Sequence, residues 1–300
     1  GCIVTTVDKL LIFLALPGIF KICPKVFLNF DICLRIMLNL VIKLEDILTS
    51  NSCSVIVIAI IKYIAYNAKQ IPFSYEAFTR TVSLHSQRLN KHKEVADSQM
   101  CSKSIKEKKA LSYLQKILGV FENFEFTFKN LQYELWSLNV KEVMLIVGPN
   151  LCVPKQVLRI ILPTLSEVHS VLEHHERKNL LSVFRKLQDS KELNDRLFGT
   201  TGPSKMFVLL GMRPCISGPQ TSWFQQVDHV TITDRTPQII INLVNPDSYL
   251  VDENIIHTHE EVTKIKSYTW YRSINIIEGF KDFKIDGISA VNVFTSCSKS

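Results

Sequence analysis

The sequence CSVIVIAIIKYIAYNAKQIPFSYEAF runs from Cys53 to Phe78, and we expect the rest of the domain to pack around it. It opens with an uninterrupted apolar run, 55–61, and becomes amphipathic towards Asn67. A segment that is first apolar on all sides and then polar on one side predicts a helix that is buried within a domain and reaches the surface at its C-terminal end. Proline lacks a backbone N–H and disfavours helical geometry in the preceding residue, so we predict that Pro72 ends this helix.

The composition is that of a folded chain with a sizeable core. Hydrophobic residues make up 46% of the 300 residues and charged residues 21%, which excludes a wholly disordered protein. The net charge of +7 is spread along the chain without interleaved aromatic residues, so we expect no nucleic-acid partner. No uncharged run reaches the ~18 residues of a membrane span, and we expect no membrane partner. The eight cysteines include no CxxC pair, which indicates reduced thiols of a cytosolic or nuclear protein.

Helical periodicity returns twice after the opening segment. Apolar residues recur at three- and four-residue spacing between Leu111 and Phe124, which predicts a second amphipathic helix. A third helix is predicted over 173–197, ended by Gly199, with Phe184 on the margin of its apolar stripe. The inner positions of that stripe are Leu180, Val183 and Leu187. On pattern alone, Phe184 is a core residue.

Strand signals lie mostly in the second half of the chain. An early strand is predicted within 35–45, and two further strands at 141–148 and 157–162. The later β-rich segments are 206–212, 230–233, 239–244 and 268–277. Because the helices come early and most strands late, we predict an α+β fold instead of a doubly wound parallel sheet.

We predict one domain over 35–285, flanked by an uninterpreted N-terminal segment and a C-terminal tail. Residues 1–34 are apolar and carry no interpretable motif, and 286–300 form a tail. The stretch 84–106 is rich in Lys, Ser and Gln and has no apolar period, so we predict a mobile and dispensable loop there.

The residues that could carry catalysis or bind a metal form no complete site. His257, His259 and Glu260 resemble part of a zinc site, but a third or fourth ligand at suitable spacing is missing from the nearby sequence. The segment 199–205, GTTGPSK, lacks the Gly-Lys-Ser/Thr of a phosphate-binding loop and precedes a strand instead of a helix. We therefore expect no catalytic residue, no metal and no cofactor, and favour an interaction domain over an enzyme. A small enzyme with a site around His257 remains the alternative from another class.

Five segments are informative together: YIAYNAKQIPFSY at 63–75, VMLIVGPNLCVPKQ at 143–156, LLSVFRKL at 180–187, TSWF at 221–224 and WYRSINIIEGFKDF at 270–283. Taken in this order, they resemble the comet family of Mad-two-binding adaptors, which are HORMA-fold proteins of the spindle checkpoint. In that family a helix ends in a Tyr-polar-x-x-Gln-Leu-Pro-x-x-Tyr pattern, which is matched here by Tyr66, Asn67, Gln70, Ile71, Pro72 and Tyr75. The resemblance implies a HORMA-like α+β fold, with three helices packed on a mostly antiparallel sheet and a C-terminal safety-belt segment over 223–284.

The resemblance also implies a function. Members of the family bind the closed conformer of the Mad-two checkpoint protein, itself a HORMA domain, and present it to a hexameric AAA+ ATPase. The checkpoint complex is then disassembled and the spindle checkpoint is silenced. The resemblance therefore implies a protein of the nucleus and cytoplasm that is found at the spindle or kinetochore in mitosis. Asn67 matches the family's interface glutamine, and Phe184 its interface phenylalanine. The flanking interface positions that we predict are Gln70, Leu181, Arg185 and Gln188.

Two departures from the family pattern bear on that function. The family has a Pro-Lys pair after the Trp-Phe of TSWF, in a loop linked to ATPase docking, where this chain has Gln226 and Val227. Asn67 is also a shorter amide than glutamine. The first departure bears on ATPase handover more than on Mad-two binding. A further alternative is a HORMA protein of the meiotic or translesion type that captures closure-motif peptides.

Overall fold

A computed structural model describes most of the predicted domain. The described residues are 37–83, 105–136, 139–166, 173–199, 202–214, 218–228, 230, 232–233, 235–246, 268–282, 284–285 and 288–289. The predicted segment 1–34, most of the predicted loop 84–106, most of the tail 286–300 and the His257–Glu260 cluster lie outside them. Residues 105 and 106, which we assigned to the loop, belong to a helix.

The described residues form helices and strands in mixed order. The helices are α1 (Ser50–Asn67), α2 (75–83), α3 (Ile105–Leu135), α4 (Glu173–Asp189) and α5 (Lys191–Phe198). The strands are β1 (Met37–Lys43), β2 (Val140–Gly148), β3 (Gln156–Ile161), β4 (Lys205–Met212), β5 (Phe224–Val227), β6 (Gln238–Val244), β7 (Thr269–Ser273), β8 (Ile277–Glu278), β9 (Lys284–Ile285) and β10 (Ile288–Ser289). No described helix is both long and apolar enough to cross a membrane.

The main sheet has eight strands and is mostly antiparallel. Its order is β1-β6-β3-β2-β4-β7-β5, with β8 paired to β4, while β9 and β10 form a separate pair. The parallel pairs are β1 with β6 and β3 with β6. The remaining pairs of the sheet are antiparallel. An α+β fold with a mostly antiparallel sheet therefore agrees with the prediction.

Helix α1 lies at the centre of the core, as the sequence predicts. Ile56, Val57, Ile60 and Ile61 are fully buried, while the opposite side of the helix is partly exposed from Val55 onwards and most exposed at Tyr66. The helix begins with a capping box, in which the hydroxyl of Thr49 accepts from the N–H of Ser52 and the Ser52 hydroxyl accepts from the N–H of Thr49.

The predicted end of α1 at Pro72 is wrong, because the helix already ends at Asn67. The N–H of Lys69 donates to the carbonyl of Tyr66, and the N–H of Gln70 donates to that of Ala65. Lys69 has a φ of 55°, so these two bonds form a Schellman motif with lysine at the left-handed position. The motif satisfies the last carbonyls of the helix and turns the chain before proline is reached.

The two faces of the sheet are covered differently. Val143, Leu145 and Val147 of β2 face the helices and belong to the main core. Met144 and Ile146 face the other way and pack with Trp270. This second face also holds a buried ion pair, in which the guanidinium of Arg159 (3% exposed) contacts both carboxylate oxygens of Glu142 (2% exposed) at 2.5 and 2.9 Å.

Three of our predicted elements differ from the structure. The third helix is not continuous, because Ser190 caps a new helix by accepting from the N–H of Leu193. Together with α2, this break gives five helices where we counted three. Residues 230, 232 and 233 form no strand, since Val230 and Ile232 pack against the second face of the sheet instead of pairing. The β segment 268–277 is interrupted between β7 and β8.

Candidate partner-binding groove

A solvent-open groove of about 810 Å³ runs along α1 from Val55 to Asn67. One wall is the outward stripe of that helix, with Ala59, Tyr63, Tyr66 and Asn67. This stripe follows from the spacing of the four residues, because side chains three or four positions apart lie on one side of a helix. The opposite wall comes from α4 and α5, and its principal residues are Leu180, Phe184, Gln188, Asn194 and Phe198.

Tyr63 connects the three helices around the groove. Its hydroxyl donates to Oδ1 of Asn194, at 2.8 Å, and its ring meets that of Phe184 edge to face with centroids 6.2 Å apart. Burial raises the pKa of the Tyr63 hydroxyl, and the hydrogen bond with Asn194 opposes that rise. The phenol stays neutral at physiological pH, and its contacts hold α1 against the helices α4 and α5.

Asn67 and Phe184, which are 117 positions apart (184 − 67), line this same groove. Nδ2 of Asn67 donates to the carbonyl of Tyr63 at 2.9 Å, which fixes the side chain along its own helix. Within the described part of the chain its Oδ1 has no hydrogen-bond partner, so it can accept from a bound molecule. Phe184 is half-buried, with Tyr63 against one side and the groove on the other.

The flanking predictions separate into three groups. Gln188 lines the groove with Phe184, one turn further along α4. Leu181 and Arg185 line a different groove, of about 710 Å³, between α4 and β1. We placed them beside Phe184 from helical spacing alone, but α4 presents these positions to the edge of the sheet.

Gln70 is buried, at 1% exposed, and its polar atoms are used inside the protein. Its Nε2 donates to the carbonyls of Ala68 and Gly202, and its Oε1 accepts from the N–H of Ser204 at 2.7 Å. A partner cannot reach these atoms, so we remove Gln70 from the predicted interface. The residue instead ties the end of α1 to the segment that leads into β4.

The C-terminal segment reinforces that connection. The N–H of Phe280 donates to the carbonyl of Gln70 at 2.9 Å. A Cβ at Gly279 would lie 2.9 Å from this same carbonyl oxygen, so only glycine permits the close approach. The Gly-Phe pair of the sequence therefore packs on the turn that follows Asn67.

A lysine lies at the rim of the groove beside aromatic rings. Nζ of Lys62 is 4.4 Å from the ring centre of Tyr75 and 5.3 Å from that of Phe128. Burial lowers the pKa of the Lys62 ammonium, while Glu125 and Glu76 oppose the change. The Tyr75 hydroxyl donates to Glu125 at 2.6 Å, and burial raises its pKa. Cation–π contacts and the charges of Glu125 and Glu76 hold Lys62 at this rim.

Sequence reasoning did not assign Tyr63, Tyr66 or Phe198 to the interface, although all three line the groove. Tyr66 directly precedes Asn67 and Tyr63 lies one turn before it on the same side of the helix, so their spacing could have identified them. Phe198, which is 53% exposed, gave no signal, because its place opposite α1 depends on the break at Ser190.

The two positions linked to ATPase docking lie away from the groove, in a strand of the main sheet. Gln226 and Val227, which stand where the family has its loop Pro-Lys pair, lie in strand β5 and pair with Tyr271 and Trp270. Among the described residues, no three His, Cys, Asp or Glu side chains cluster closely enough to hold a metal ion. No protein-family model matches the chain, and none of the curated proteins compared with it matches either.

Proposed function

We propose that this chain is a non-catalytic adaptor with a HORMA-like fold. It binds the closed conformer of a Mad-two-type HORMA protein through the groove between α1 and α4. With a hexameric AAA+ ATPase it would promote disassembly of the mitotic checkpoint complex and so silence the spindle checkpoint. The motif resemblance suggests the partner. The observation that carries the proposal is that Asn67 and Phe184, the two positions matched to the family's interface, line one solvent-open groove.

The chemistry of the groove supports a protein partner. Phe184 and Tyr66 offer aromatic area at the surface, and Tyr66 is 43% exposed. Half-buried aromatic residues that are already held in place are frequent anchors of protein interfaces, because little entropy is lost when a partner covers them. Oδ1 of Asn67 adds one directional acceptor beside this apolar surface.

The test is the double substitution Asn67→Ala with Phe184→Ala, measured for binding to the closed Mad-two-type protein by calorimetry. Truncating an aromatic anchor costs about 2–4 kcal/mol of binding. Removing an amide that pairs with a buried group costs about 1–3 kcal/mol. At roughly 1.4 kcal/mol per tenfold, we expect binding to weaken by about a hundredfold or more.

The matched control is Leu181→Ala, which truncates an exposed residue of the same helix that lines the other groove. We expect its affinity to equal that of the wild type. Thermal unfolding separates a loss of binding from a loss of folding. The contact of the half-buried Phe184 ring with Tyr63 contributes about 0.5–1.5 kcal/mol to the free energy of unfolding, so the double variant should lose no more stability than about that amount. Unchanged affinity of the double variant, or an equal loss in the Leu181 control, contradicts the proposal.

A further inference from the structure

Among the described residues, β1 is one of the two edge strands of the main sheet, and β5 is the other. β1 is the first strand in the sheet order and pairs with β6 on its inner side. The N–H of Leu44 donates to the carbonyl of Val244, which shows that the even-numbered residues direct their backbone groups towards β6. Backbone groups alternate sides along a strand, so the outward residues of β1 are Met37, Asn39, Val41 and Lys43.

Side chains of α4 and α5 occupy the two ends of this edge. The hydroxyl of Ser182 donates to the carbonyl of Lys43 at 3.3 Å, and Nη2 of Arg196 donates to that of Met37 at 3.4 Å. Between them, no described residue bonds the outward N–H and C=O groups of Asn39 and Val41. These two residues present the bonding pattern that an added strand requires.

The groove along this edge has the size and charge to receive side chains of an added strand. Its volume is about 710 Å³, and it lies between β1 and α4. Val41 (44% exposed) and Leu181 (55% exposed) supply exposed apolar surface there. The charged lining has four basic residues against two acidic ones, namely Lys43, Lys178, Arg185 and Lys186 against Glu45 and Asp189.

We propose that the outer edge of β1 binds an extended segment of another protein as an added strand, with acidic and apolar side chains in alternation. Successive side chains of a strand point to opposite faces of the sheet. The acidic ones would face Lys178 and Arg185 on α4, and the apolar ones would pack beside Val41. Backbone hydrogen bonds to Asn39 and Val41 would supply affinity, and the excess of basic residues selects an acidic partner. This site is separate from the groove around Phe184 and does not depend on the function proposed for it.

The probe is a fluorescein-labelled nonapeptide of alternating valine and glutamate, titrated with the full chain by fluorescence anisotropy. Two further probes carry backbone N-methyl groups on all valines or on all glutamates, which removes the donors from one edge of the peptide or from the other. We expect the unmethylated peptide to bind, and only one of the methylated probes to lose binding, by about tenfold or more. Equal binding of all three probes would indicate charge attraction alone and would overturn the proposal.

The protein variant is Val41→Pro. Its N–H points away from β6, so proline removes a donor for the partner without removing a bond of the sheet. We expect peptide binding about tenfold weaker or more, and a thermal midpoint close to wild type. The control Val41→Thr keeps the N–H and a β-branched side chain, and should bind like the wild type. If Val41→Pro does not fold, Lys178→Glu with Arg185→Glu replaces it, since reversal of two exposed charges should cause a similar loss.

Two other occupants of the edge give results that would overturn the proposal. If the peptide binds only after removal of residues 1–34, the chain's own N-terminal segment covers the edge. If sedimentation shows a dimer that Val41→Pro dissociates, a second copy of the chain covers it. Absence of binding to the wild-type chain, or unchanged binding to Val41→Pro, would also overturn it.

Discussion

Replacing Arg159 by methionine should destabilise the protein strongly, because it leaves a charge buried without its partner. Arg159 and Glu142 are 3% and 2% exposed, and two hydrogen bonds join their side chains. Without the guanidinium, the Glu142 carboxylate stays out of reach of water and loses both donors. Breaking one side of a buried ion pair costs about 3–5 kcal/mol. At about 2–3 °C per kcal/mol for a chain of this size, the thermal midpoint should fall by roughly 6–15 °C.

The double variant Glu142→Leu with Arg159→Met should recover most of that loss. Desolvation of two charges offsets much of the attraction between them, so an apolar pair of similar volume is expected within about 2 kcal/mol of wild type or above it. Val157 and Met144 already make this face of the sheet apolar. The measurement is urea unfolding of the wild type, both single variants and the double variant.

An exposed arginine provides the control for this cycle. Arg177→Met, on the surface of α4, should change the free energy of unfolding by no more than about 0.5 kcal/mol. Two results would refute the reasoning about the ion pair. One is a cost below about 1 kcal/mol for Arg159→Met. The other is a double variant that is no more stable than this single variant.

Three shorter predictions concern the turn that follows α1 and two cysteine thiols. Lys69→Gly should raise the free energy of unfolding by about 1 kcal/mol, because glycine adopts the left-handed φ of 55° without the side-chain penalty; unfolding in urea measures it. Gln70→Ala should lower stability by about 1–3 kcal/mol, since the N–H of Ser204 loses its acceptor, with little effect on affinity per folded molecule. Burial raises the pKa of the Cys53 thiol to about 12, so at pH 8 a thiol reagent should modify the exposed Cys152 and leave Cys53 unmodified until the chain unfolds, as read by peptide mass mapping.

The sequence predicts those features of the fold that depend on local pattern. The apolar run that begins at Val55 identifies α1 as a core helix, and continuous β-forming residues identify β2, β3, β4 and β6. The end of α1 was misplaced because lysine at a left-handed position carries no sequence signal, whereas proline does. Strand pairing also lay beyond local pattern, since the parallel pairs of β6 join segments that are far apart in the chain.

The candidate site shows the same division between local and distant information. Helical spacing places Phe184 on the margin of the buried stripe, but the pattern alone favoured a core residue, whereas the ring is half-buried and lines the groove with Gln188. Helical spacing fails for Leu181 and Arg185, because that side of α4 faces the edge of β1 and not the groove that contains Phe184. It also fails for Gln70, whose partners Gly202 and Ser204 are more than 130 positions away.

The position of Asn67 depends on contacts at the far end of the chain. The turn that follows it is held by Gln70, whose carbonyl accepts from the N–H of Phe280. The ring of Phe280 in turn lies 6.0 Å from that of Phe73 and 5.5 Å from that of Phe78, both of which follow the same turn. These contacts cover the core below the C-terminal end of α1. The segment 279–280 therefore stabilises the groove, although it does not line the wall that contains Phe184. Release of that segment would expose Phe280 and leave the turn after Asn67 without its hydrogen bond. A partner that recognises Asn67 and Phe184 together would then bind a surface that is no longer held in one geometry, which lowers affinity.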